Sequence, residues 1–207
     1  AFFAPTAHEI PRPPPDRKRV AQAIALLKSA KRPLIIAGGG TRYSGAEEVV
    51  ATFALDHGIP LTETIAGKST VTHDNPAYAG PIGIVGSTSA NALAAEADAI
   101  GTRLMDFTTG SWTVFGQDAK FISINAARWD ATKHRALAVV GDARESVEEL
   151  AAGLKGWKAD AAWTSKARDL FAQWDKALDG YQKPTNAPVP TYAQVVGVVN
   201  RKAGKRD

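Results

Sequence analysis

The stretch "PLIIAGGGTRYSGAEEVV", residues 33–50, decides how the rest of the chain is read. Leu34, Ile35, Ile36 and Ala37 are apolar at every position, the pattern of a strand covered by helices on both faces. Three glycines, Gly38, Gly39 and Gly40, then turn the chain. Ser44 and Glu47 stand at the spacing of a capping box, which predicts a helix through Val49, Val50 and Phe53 that stops at Gly58 and Pro60. A buried strand that passes through a tight turn into a helix is the opening of a βαβ unit.

The same alternation continues outward. Upstream, Asp16 is placed to cap a helix whose apolar positions Val20, Ile24 and Leu27 recur at helical spacing up to Ala30. Downstream, a strand is expected from Ile59 to Thr64, a glycine-rich loop from Gly80 to Gly86, and a helix from about Ser89 to Ala97. A short apolar piece at Ala99 and Ile100 follows, then strands at Phe121–Ile124 and Ala136–Val140. Asp142 and Glu145 form a second capping box for a helix through Val147, Leu150 and Leu154. These intervals predict an α/β fold of Rossmann-like type, a mostly parallel sheet with helices on both faces, and ligands at the carboxyl ends of its strands.

The last quarter has a different character. Trp163, Ala167, Leu170, Phe171, Trp174, Leu178 and Tyr181 share one face of a long helix, so residues 156–181 read as a helical extension. "QKPTNAPVP", 182–190, reads as a linker. Thr191 and Gln194 make a third capping box for a helix carrying Val195, Val196, Val198 and Val199. The other end is proline-rich: "AFFAPTAHEIPRPPP", 1–15, reads as an extended linker, which leaves 16–155 as the central α/β domain.

With 207 residues and 44% apolar content, the chain has enough material for one large core. The net charge of +4 is mild and its excess lies toward the ends, as in Arg17, Lys18 and Arg19 and again in Arg201, Lys202, Lys205 and Arg206. No interior basic face interleaves with aromatics, so nucleic acid is not an expected partner. The absence of cysteine excludes disulfides, thiolate catalysis and cysteine metal sites, and a cytoplasmic compartment fits that composition. No apolar run reaches the roughly 18 residues of a membrane span, so no membrane partner is expected.

Several motifs invite chemistry. The strand, Gly38-Gly39-Gly40 and the following helix could present backbone N–H groups to a phosphate. Tyr43 stands where a dinucleotide fingerprint has its third glycine, however, and a plain strand-to-helix turn is the other reading. Glu63 ends the second strand, where a ribose-binding acid would sit. Gly67-Lys68-Ser69 imitates the end of a P-loop, but Thr62 occupies the position of its first glycine, which leaves Lys68 as a loop lysine. His8, His57, His73 and His134 are too scattered to preorganise a metal site. Ser87 and Ser89 lack a nucleophile-elbow context and read as helix caps. In "GTRLMDFTTGSW", 101–112, Arg103 could clamp an anion and Thr108 and Thr109 could donate hydrogen bonds. The alternative is an Arg103–Asp106 pair stabilising a loop over Trp112 and Phe115.

Six segments taken in order, "RPLIIAGGGTRYSGA", "GIPLTETIAGKST", "NPAYAGPIG", "GTRLMDFTTGSW", "FISINAARWDATKH" and "ALAVVGDA", resemble the central domain of thiamine-diphosphate enzymes of the acetolactate synthase type. The resemblance spans about residues 16–155. "GTRLMDFTTGSW" and "INAARWDATKH" look most like the branch that hydrolyses a cyclic trihydroxy-1,2-dione in myo-inositol breakdown.

The resemblance implies a three-domain parent in which a pyrimidine-binding and a diphosphate-binding domain flank this one. Residues 191–207 would begin the latter, and the parent would be a homo-oligomer. Thiamine diphosphate and Mg2+ would be bound outside this segment, because the family's activating glutamate lies in the first domain and its Gly-Asp-Gly…Asn motif in the last. The cofactor would act as the electron sink for C–C cleavage. No catalytic residue is assigned to this chain.

In flavin-containing relatives the central domain holds FAD through the glycine-rich turn and a Gly-x-Arg motif. The matching positions here are Gly38, Gly39, Gly40, Gly101, Thr102 and Arg103, which are therefore the candidate cofactor-binding residues. FAD itself is not expected, because Asn125 stands where an acid is common, and an FAD- or ADP-binding domain is the alternative reading. Relatives also show about five apolar residues before "GTR", whereas here only Ala99 and Ile100 intervene. Either the strand borrows Thr102 to Leu104 or residues are missing at that point.

Overall fold

A computed structural model describes residues 11–101 and 104–204. Six parallel strands form one sheet in the order β3-β2-β1-β4-β5-β6. Their ranges are β1 Pro33–Ala37, β2 Leu61–Glu63, β3 Tyr78–Pro81, β4 Ala99–Gly101, β5 Lys120–Asn125 and β6 Leu137–Val140. The helices are α1 Arg17–Ser29, α2 Gly39–Tyr43, α3 Glu47–His57, α4 Thr88–Glu96, α5 Asp106–Thr109, α6 Arg128–Ala131, α7 Ala143–Gly153, α8 Ala161–Gln182 and α9 Tyr192–Lys202. The expected α/β architecture is present, with a strand order that reverses between β1 and β4.

Two apolar clusters cover the two faces of the sheet. On one, Val20 and Leu27 of α1, Val50 and Phe53 of α3, and Val147 and Leu150 of α7 pack with Leu61, Ile122 and Val139. On the other, Leu34 and Ile36 meet Leu93 of α4, Leu104, Phe115, and Trp163 and Ala167 of α8. The helix read as an extension thus completes the second core. Trp163 is buried, and its indole N–H donates to the carbonyl of Pro33 at 2.8 Å. Thr164 Oγ1 donates to Gly58 O at 2.6 Å.

Helix ends follow the expected caps in part. Asp16 accepts from Arg19 N, Asp142 from Arg144 N and Glu145 N, and Thr191 and Gln194 form the full reciprocal capping box. Ser44 departs from expectation. The triglycine turn winds directly into α2, Gly45 breaks that helix with a φ of +61°, and α3 starts at Glu47 with Ala46 as its N-cap. The Ser44 hydroxyl instead donates to Gly40 O and accepts from Ala143 N, which joins α2 to α7.

The strand β3 lies where the sequence predicts only a glycine-rich loop. Its sequence is Tyr-Ala-Gly-Pro; Gly80 has φ +100° and Pro81 supplies no N–H. A sheet edge tolerates both, and β3 is an edge strand. The end of the proline-rich stretch is docked rather than free: Pro13 O accepts from Asp142 N at 2.8 Å, Pro15 is buried, and Arg12 bonds Ser44 O and Asp142.

Candidate functional site

In a parallel sheet whose strand order reverses, the chains leaving the two central strands diverge to opposite faces and open a crevice at the carboxyl edge. Here the crevice lies between β1 and β4, which pair in register through Pro33–Ala99, Leu34–Ile100 and Ile35–Gly101. Gly38, Gly39 and Gly40 follow β1, and Gly101 in β4 pairs with Ile35, three positions before Gly38 in the β1 register. Thr102 and Arg103 lie outside the described residues. Strand β4 is three residues long beside five in β1 and six in β5.

The glycine turn is tight and partly covered. Gly38 is extended and caps α2, a helix of five residues. A 3-10 turn at Ile65–Gly67, which follows β2, packs against it. A Cβ on Gly67 would collide with the carbonyl oxygen of Ala37, and one on Gly39 would lie 3.4 Å from Ala66. A Cβ on Gly40 would meet nothing within 4 Å, so the turn is open on that side.

Glu63, at the end of β2, is fully buried. Its Oε1 accepts from Tyr78 Oη at 2.7 Å and from Lys68 Nζ at 2.8 Å. Oε2 is sealed from solvent without a hydrogen-bond partner. Lys68, read from sequence as a loop lysine, is the cation of this pair, and Tyr78 belongs to the strand that the sequence did not reveal. Burial, then the hydrogen bond to Glu63 and its charge, push the Tyr78 hydroxyl far above the ordinary phenol range.

Beside the crevice, Thr64, Ile65, Ala66, Ile82, Met105, Phe107 and Thr108 line a cavity of about 300 Å³. Ile84 N donates to Phe107 O at 2.9 Å and ties the loops after β3 and β4 together along its rim. Ile65 and Phe107 are exposed there. Among the described residues the lining holds no charged group, and the Thr64 hydroxyl already accepts from Gly67 N. It is suited to apolar contact and offers no acid, base or nucleophile. A second cavity of about 340 Å³, lined by Arg32, Glu96, Asp98 and Asp118 among others, sits at the opposite edge, where Asp98 accepts from the backbone N–H groups of Lys31 and Arg32.

The other candidates serve local structure. Ser87 caps α4 by accepting from Ala90 N, while Ser89, inside the helix, donates to Ala79 O. Asp106 accepts from Ser111 Oγ, Thr109 accepts from Trp112 N, and the Trp112 ring lies 4.5 Å from that of His134. Buried His57 meets Trp157 O through Nδ1, and His73 pairs with Asp175. His8 lies outside the described residues. Asn125 accepts from Ala127 N. Among the described residues no group of three or more His, Asp or Glu side chains could hold a metal ion, and no helix is long and apolar enough to cross a membrane.

A search for relatives agrees with the geometry. Residues 20–150 match the family described as thiamine pyrophosphate enzyme, central domain. A 3D-(3,5/4)-trihydroxycyclohexane-1,2-dione hydrolase from Listeria monocytogenes is 44% identical over 160 residues, covering 76% of this chain and 25% of the relative. The enzyme of the same name from Bacillus subtilis is 40% identical over 178 residues, covering 84% and 28%. The chain thus spans about a quarter of the length of these curated relatives. Among solved structures, an enzyme from Mycobacterium smegmatis assigned to the thiamin diphosphate-dependent class superposes with a TM-score of 0.58 at 21% identity. That match covers 72% of this chain and 30% of the other, a likeness that shows the fold. With the family model covering most of the α/β unit and the switch-point sheet beneath it, the chain belongs to the thiamine pyrophosphate enzyme central-domain family.

Proposed function

We propose that this chain is the scaffold segment of a thiamine-diphosphate- and magnesium-dependent hydrolase that opens the ring of trihydroxycyclohexane-1,2-dione by C–C cleavage in myo-inositol catabolism. The observation that carries the reading is 44% identity over 160 residues to a hydrolase of that name. In this reading the cofactor and Mg2+ sit in other domains of the same polypeptide, and the central segment contributes no reacting group. Among the described residues the lining of the cavity beside the switch point is uncharged, which supports that division of labour.

The segment's work is to hold flanking domains in register within a cytoplasmic homo-oligomer. Residues 16–155 form the family unit, 156–181 extend it, 182–190 link it onward, and 191–207 begin the diphosphate-binding domain. The composition of α9 supports the last assignment, since Val195, Val196, Val198 and Val199 are all about half exposed. Gly38, Gly39, Gly40, Gly101, Thr102 and Arg103 are retained as the ligand edge of the fold. A turnover assay on the dione with thiamine diphosphate and Mg2+ tests the reading. The chain alone is expected to be inactive and an enzyme carrying both flanking domains active; turnover by the chain alone contradicts it.

A further inference from the structure

We infer that the groove between the α2–α3 turn and the start of α7 is a docking site for a proline-rich, arginine-bearing segment. Its occupant is residues 11–15 of this chain, which act as a clasp that ties α2 to α7 at the carboxyl edge of the sheet. The inference goes beyond the scaffold reading and rests on the docked segment itself. It moves the start of the α/β unit from Asp16 back to Pro11 and removes these five residues from the linker.

The chemistry of the segment fits the groove. Pro13, Pro14 and Pro15 carry no backbone N–H, so a strap built from them offers only carbonyls along its backbone and must bring its donors on a side chain. The groove supplies the complement. Asp142 N donates to Pro13 O at 2.8 Å. Arg12 Nη1 donates to the carbonyl of Ser44 and, at 3.2 Å, to Asp142 Oδ2. The other carboxylate oxygen, Oδ1, accepts from Arg144 N and Glu145 N, so one aspartate both starts α7 and holds the strap. Pro15 is buried against Gly141, where a Cβ would lie 2.9 Å from Pro15 Cα.

The sequence also prepares the strap for docking. Arg12, Pro13 and Pro14 each precede a proline, which biases them to extended conformations before any contact is made. Such a segment loses little chain entropy when it binds. Across the groove, Ser44 receives the clasp and passes it on. It is the C-cap of α2, and its hydroxyl donates to Gly40 O at 2.9 Å and accepts from Ala143 N at 3.2 Å. Arg12 therefore bears on a residue bonded to both the glycine turn and α7. Ser44 and Gly141 lie beyond the carboxyl ends of β1 and β6, so the strap brings the chain into the α/β unit at the same edge as Gly38, Gly39 and Gly40.

Hydrogen exchange at the amides of Ser44, Asp142 and Ala143 tests the clasp from both of its sides. Arg12→Ala removes the donor on the strap, and Gly141→Ala pushes a methyl group against Pro15 without altering Arg12. Each should speed exchange at the three amides by about tenfold, the effect of losing a charge-assisted hydrogen bond that holds a local unit closed. The amides of Leu61 and Ile82, on the β2–β3 side of the sheet, should keep their rates. Pro14→Ala, at an exposed position, acts by freeing the undocked strap and should give about a two- to fivefold rise. Unchanged exchange in both Arg12→Ala and Gly141→Ala would overturn the inference. Faster exchange at Asp142 with Ser44 unmoved would overturn it as well, because the strap would then dock on α7 without reaching α2. An equal rise at Leu61 and Ile82 would do the same, since the strap would then stabilise the whole fold and clasp nothing in particular. None of these readouts depends on the cofactor or on whether the dione is the substrate.

Discussion

The indole N–H of Trp163 donates to the carbonyl of Pro33 at 2.8 Å, across 130 positions of sequence. It ties the first turn of α8 to the first residue of the strand at the switch point. Both partners are buried, so the bond is out of competition with water. The helix that looks peripheral in sequence therefore fixes where β1 begins.

Truncating Trp163 to alanine should cost about 3–5 kcal/mol, the range for removing a large buried aromatic side chain. Trp163→Phe preserves most of the packing but strands the Pro33 carbonyl, and should cost about 1–3 kcal/mol. Urea denaturation followed by circular dichroism would read both. A cost for Trp163→Ala within about 0.5 kcal/mol, the range of ordinary surface changes, would show that α8 is dispensable to the core.

Tyr78 links stability to high pH. Its folded hydroxyl titrates well above its unfolded value because of burial and then Glu63. The folded state therefore holds the proton that the unfolded chain releases above a pH of about 10. The contribution is complete below that pH and is lost as pH rises toward the folded value, at a slope of about 1.4 kcal/mol per pH unit for this group. Tyr78→Phe should remove that slope from the stability profile between pH 9 and 11, a window bracketing the ordinary tyrosine value of about 10. An identical slope in the variant would place Tyr78 outside this linkage.

Gly67 is required by space rather than by dihedral freedom, since a Cβ there would run into Ala37 O at the end of β1. Gly67→Ala must push the turn off the strand and should cost about 1–3 kcal/mol, as overpacking does. Gly40→Ala, where an added methyl meets nothing within 4 Å, should be far milder. Thermal melts of the pair would separate the two, and equal losses would contradict the packing described.

The sheet was legible in the sequence wherever a strand carried a run of aliphatic residues, as in Leu34–Ala37 and Phe121–Ile124. Asp16, Asp142 and the Thr191–Gln194 box announced their helices, because side-chain caps leave a local signature. Strand β3 was not legible. Tyr78-Ala-Gly-Pro81 has turn chemistry, and only the pairing of Leu61 with Tyr78 makes it a strand. Ser44 misled for a related reason: its partner, the Ala143 amide, lies 99 positions away. At the candidate site, the glycine turn and Glu63 were visible as types, but their engagement by Gly67, Lys68 and Tyr78 is tertiary and left no local trace.

The apolar face of α9 should matter for association more than for the fold of this chain. Val195→Lys with Val199→Lys places two charges at exposed positions and should change stability by no more than about 0.5 kcal/mol each. Light scattering should show less self-association than in the parent chain. A large loss of stability would mean instead that these valines are part of the core.

The most direct test of the scaffold account is isothermal calorimetry of this chain with thiamine diphosphate and Mg2+. The account predicts no binding heat, because it places the groups that hold the cofactor on other domains. Saturable, tight binding by these 207 residues would contradict it.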